Sequence, residues 1–145
     1  MVEKIKYKNK LLAIIISGDY RKKKGITFFT PNNATQQIGY MKHKKGHKIV
    51  PHKHSKRITR IFPTTEVLLL LKGILRVDFY KQNKKYLFSK ILKEKCIIFL
   101  VHGGHGFKVI KDVEMIEVKQ GPYNIAKDKV KFDEISEKKI KIKKN

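Results

Sequence analysis

The chain has 145 residues, 41% of them apolar, and 35 basic residues against 12 acidic ones give a formal charge of +23. That length suits one domain with a core, and a lone cysteine, Cys96, excludes an intramolecular disulfide. The charge invites a nucleic-acid reading. However, 31 of the basic residues are lysines spread along the whole chain, and only Arg21, Arg57, Arg60 and Arg76 offer the planar fork that base readers use. The lysines are therefore read as a solvated surface, and nucleic acid is not expected as a partner.

In chain order, the first apolar run is "LLAIII", residues 11–16. Six residues cannot span a bilayer, and no signal-peptide core or small-residue cleavage site accompanies them. A cytoplasmic protein with no membrane association is expected. Short apolar runs follow: "ITFF", "QIGYM", "KIVP", "EVLLLL", "ILRVDFY", "KYLFSKIL", "CIIFLV", "FKVI" and "VEMIEV". Turn residues divide them, among them "PNN", "KKG", "KG", "KQNKK", "HGGHG" and "KD". Many short strands at near-regular spacing predict an all-β sandwich or barrel. No helical stripe is sustained, and the weak candidate "DEISEKKIKIKK", 133–144, reads equally as a basic tail. The expected organisation is an N-terminal strand extension (1–36), a barrel (37–123) and a basic C-terminal tail (124–145).

"EVLLLL" and "CIIFLV" do not alternate, so both faces of each strand should be covered. The N-terminal strand and a second copy of the chain are the candidate covers, and a homodimer is expected. In "VEMIEVKQGPY" the pattern does alternate. Glu117 shares a face with Met115 and Lys119 and is read as an exposed ion pair with Lys119. If that face lines the barrel, Glu117 becomes a candidate acid or base.

All six histidines lie between residues 43 and 105. On a strand His52 and His54 would point the same way, as two imidazoles gripping one ion do. Glu66 is the only acid between Asp19 and Asp78, and it opens an apolar strand. A lone carboxylate there is costly unless a cation is near. Imidazole together with carboxylate suits Fe, Mn, Ni or Zn. His43 and His47, among lysines, are read as solvated. The loop between His54 and Glu66 carries Arg57 and Arg60, whose forks suit carboxylate or phosphate, and both are candidates for holding a ligand.

The stretch from Gly46 through five residues to His52 and His54, and from Glu66 through six residues to Gly73, resembles the first motif of the cupin superfamily. Its eleven-residue gap, Ser55 to Thr65, is read as an inserted loop. A second, degenerate motif lies in "KCIIFLVHGGHGF", 95–107, where Gly103, Gly104 and His105 survive and the usual proline and asparagine do not. The resemblance implies a double-stranded β-helix (jelly-roll) barrel that holds a divalent metal by His52, His54, Glu66 and His105. His105 is preferred to His102 because its flanking glycines let the backbone crowd the interior. It further implies a metal-binding enzyme of isomerase, epimerase or dioxygenase type on a small anionic or sugar-like molecule, in carbohydrate or surface-polysaccharide metabolism. The alternative is a non-catalytic ligand-binding module.

Overall fold

The structure, a computed structural model, describes residues 1–22, 24–62, 64–124 and 128–144. The strands are Val2–Tyr7 (β1), Lys10–Ile16 (β2), Gly25–Phe28 (β3), Gly39–Lys42 (β4), Glu66–Tyr80 (β5), Tyr86–Lys93 (β6), Ile97–Leu100 (β7) and Gly104–Lys119 (β8). The chain forms two compact units. One joins Met1–Tyr20 to Pro63–Asn145, and the other is Arg21–Phe62.

The first unit is a strongly curled antiparallel sheet forming a half-barrel. Strand β5 is its spine. β8 lies along one side of β5 for its whole length, while β7 and then β6 share the other side. β2 pairs with β7 and β1 with β2. The N-terminal run "LLAIII" thus extends the sheet edge to edge beside "CIIFLV" rather than lying across its face.

Two expected turns, "KG" in β5 and "KD" in β8, are not turns. Both strands run through, and the ribbon they form bends there. Gly73 sits at φ +93°, and a Cβ on it would lie 2.0 Å from the Asp112 carbonyl oxygen. The β5–β8 register slips at Leu70/Lys72, Lys72/Ile74 and Ile74/Leu75. Such irregularities bend a strand and raise its twist. The alternation changes phase across the bend: Leu68 and Leu70 face the core before it, and Leu75, Val77 and Phe79 after it. With Ile5, Leu12, Ala13, Ile15, Leu92, Ile98 and Leu100 they form one apolar cluster.

On the opposite face of β5, Arg76 and Asp78 are buried beneath the C-terminal segment. Arg76 donates from Nε and Nη2 to Asp78 (2.9 and 3.1 Å) and from Nη1 and Nη2 to Glu137 (2.8 and 3.0 Å). Ser89 Oγ donates to the same Asp78. The Glu137 carboxyl is pulled down to about 2 by these guanidinium hydrogen bonds and by Lys108. The backbone at Lys141 and Lys143 hydrogen-bonds Ser89. The segment expected as a helix or a loose tail is therefore a strap, with a single 3-10 turn at Glu137–Lys139.

The second unit contains the β3–β4 hairpin and the loop that follows it. "KIVP" forms no strand; residues 43–62 carry none. Among the described residues no helix is long and apolar enough to cross a membrane.

Candidate functional site

Glu66 begins β5, and His105 is the second residue of β8, opposite Phe79 near the far end of β5. Along a straight ribbon those positions would lie about 43 Å apart, at about 3.3 Å per residue. In the curled sheet His105 Nε2 is 3.0 Å from Glu66 Oε2. The connection makes this possible. Leu100 pairs with Glu66, and only Val101–Gly103 separate β7 from Gly104, which pairs with Tyr80. The backbone N–H groups of Val101 and His102 both donate to the Leu12 carbonyl (2.8 and 3.3 Å). Gly103, at φ +80°, passes so close to the Tyr80 carbonyl that a Cβ would sit 2.4 Å from it. At the other end Gln120 clamps Thr65, accepting from its backbone N–H and donating to its hydroxyl, both at 2.8 Å.

The pair is half-buried, with Glu66 12% and His105 28% exposed. The hydrogen bond from His105 holds the Glu66 carboxyl below its ordinary range, against the upward push of burial, and Lys129 and Lys119 add smaller downward pulls. With Glu66 ionised, the contact requires the proton on Nε2, which leaves Nδ1 as the acceptor of a neutral ring.

The pair lines a cavity of about 470 Å³, within the ordinary range of ligand sites. Its walls include Tyr80, His102, Lys119 and the strap from Asp128 to Glu134. Phe132 packs edge-on against Tyr80, with centroids 5.1 Å apart. Glu66, Asp128, Asp133 and Glu134 all border this one space, a third of the chain's twelve acids. Lys119 hydrogen-bonds Asp128 at 3.2 Å rather than forming the expected bridge to Glu117.

Of the expected ligands, Glu66 and His105 are thus brought together. His52 and His54 belong to the second unit, outside any strand. Their rings meet edge-on at 5.4 Å, and His52 Nδ1 lies 2.8 Å from the Val50 carbonyl oxygen. Among the described residues no three His, Cys, Asp or Glu side chains are grouped to hold a metal ion. Arg57, with Thr59, lines a separate cavity of about 480 Å³ beside Asn32, Asn33 and Gln37. Arg60 is exposed, and Glu117 is exposed on β8 opposite Leu68. The strap carboxylates and Phe132 were not anticipated. Their distance in sequence from Glu66 hid them, and the only local sign was a cluster of acids, 128–137, in a lysine-rich tail.

Compared with family models, with curated proteins and with solved structures, the chain shows no match in any of the three.

Proposed function

We propose that the half-barrel binds a small sugar-like molecule in the cavity around Glu66 and His105, and that this pair moves a proton on it. The observation that carries the reading is the 3.0 Å carboxylate–imidazole contact bordering a ligand-sized cavity. Of the two ligand classes the sequence allowed, sugar-like is the one proposed, from a lining of mixed charge beside an aromatic wall. Four carboxylates and three lysines, Lys119, Lys129 and Lys131, line the space, and together they offer acceptors and donors to hydroxyl groups. Phe132 and Tyr80 give an apolar wall for a ring's C–H face. Glu66 fixes the imidazole so that Nδ1 is free to take a proton, as an isomerase or epimerase requires. Binding without turnover uses the same contacts and lacks only that step.

Titrating the protein with D-glucose and D-glucuronate under NMR observation tests this. Shifts at His105 and Phe132 with glucose, weakened by Glu66→Gln, are expected. No shift there with any neutral sugar would overturn it. The cupin reading, with its metal, rests on the spacing of Gly46, His52, His54, Glu66 and Gly73. It requires one divalent ion per chain in protein purified without chelator, lost on the double change His52→Ala/His54→Ala. A cytoplasmic homodimer completes this reading.

A further inference from the structure

Strand β8 runs along one edge of the curled sheet, and among the described residues it pairs only with β5. By its alternation Phe107, Val109 and Met115 stand on one face, and Ile110, Ile116 and Val118 on the other. All six are between 39% and 53% exposed. A 16-residue edge strand with this much exposed apolar surface is one that native proteins cover.

The charge along β8 says with what. Lys108 and Lys111 lie in its first half, and in its second Asp112, Glu114 and Glu117, a quarter of the chain's twelve acids, outnumber Lys119. A strand with a basic half and an acidic half is complementary to its own reverse. Two antiparallel copies about a two-fold axis near Asp112 place Lys108 and Lys111 of each against the Glu114 and Glu117 end of the other. A parallel arrangement sets like on like, and a uniformly acidic partner would meet repulsion along half the strand. The intrachain claims on these charges leave them available. Lys72 reaches Glu114 at only 3.8 Å, with both side chains about two-thirds exposed, and such pairs hold weakly. Lys108 is engaged by Glu137 at 2.9 Å and remains half exposed.

The geometry points to β8 as a self-association edge, along which a second copy of this chain adds antiparallel and continues the sheet across a two-fold axis. The claim is independent of what the cavity binds. Analytical ultracentrifugation of the full chain tests it, with Lys108 left intact because Glu137 uses it. Wild type is expected to be dimeric. Lys111→Glu, and separately Glu114→Lys/Glu117→Lys, should each weaken the dimer about tenfold or more, and an equimolar mixture of the two variants should restore it. A monomeric wild type, or variants that dimerise as wild type does, would overturn the proposal. Spin labels at single cysteines in a Cys96→Ser background give a second readout that needs no charge change. Same-residue separations should be smallest, about 10 Å, at position 112 and grow steadily toward position 118. A constant separation, or no coupling at any position, would also overturn it.

Discussion

Gly73→Ala is the most direct probe of how the sheet is curled. An alanine there adopts a φ of +93° that L side chains rarely adopt, and its Cβ lies 2.0 Å from the Asp112 oxygen and 2.7 Å from that of Lys111. The dihedral alone costs about 1–2 kcal/mol. Relieving the clash means parting β5 from β8 by more than about 1 Å at their tightest point, an overpacking cost of about 1–3 kcal/mol. The sum, about 2–5 kcal/mol, is a large part of the roughly 5–15 kcal/mol that holds a domain together. Gly106→Ala, on β8 of the same ribbon, is the control. Its Cβ would find nothing nearer than 3.8 Å, so it should be neutral or stabilising by about 0.4–1 kcal/mol. Urea unfolding followed by far-UV circular dichroism and tyrosine fluorescence reads both changes. Equal midpoints for the two variants would refute the account of the bend, as would Gly73→Ala leaving the His105 resonances of the native protein unmoved.

The Glu137 carboxyl is held at about 2 instead of 4.5, so its contribution to stability is complete above the ordinary value and is lost as pH falls toward 2. Thermal melts of Glu137→Gln should accordingly lose part of the acid sensitivity that wild type shows across that window. Leu75→Ala empties a side chain that is 1% exposed in the middle of the cluster and should cost about 2–5 kcal/mol in urea unfolding. Phe132→Ala removes one ring of the pair with Tyr80, worth about 0.5–1.5 kcal/mol beyond its area. Amide exchange should then speed up between residues 128 and 135 while β5 stays protected. Equal acceleration in both would place the strap inside the core's cooperative unit.

The all-β class was legible because the apolar runs of β5 to β8 are short, rich in branched and aromatic residues, and separated by lysine and glycine. The pairing of Glu66 with His105 was legible in part: both were singled out as ligands of one centre, and their side chains do meet, in a hydrogen bond. What local pattern could not supply was the meaning of "KG" and "KD". Each has the composition of a turn, and only their position across from one another makes them one bend in a continuous ribbon. The strap was equally hidden. "DEISEKKIKIKK" is polar and weakly helical by composition, and its order comes from Arg76, 61 residues before Glu137, which offers two pairs of donors at once. The non-alternating "EVLLLL" predicted cover on both faces, but Leu71 is 44% exposed, and the strap's cover lies further along β5, over Arg76 and Asp78. The spacing of His52 and His54 predicted a shared strand face, and that inference fails because no strand forms there.

The bend at Gly73 also makes β5 a lever. Glu66 lies seven positions before Gly73, an arm of about 23 Å at about 3.3 Å per step. Rotating that arm by about 10° sweeps its tip through about 4 Å, more than the whole length of the bond between Glu66 and His105. The closeness of Glu66 to His105 thus depends on the angle held at one backbone position.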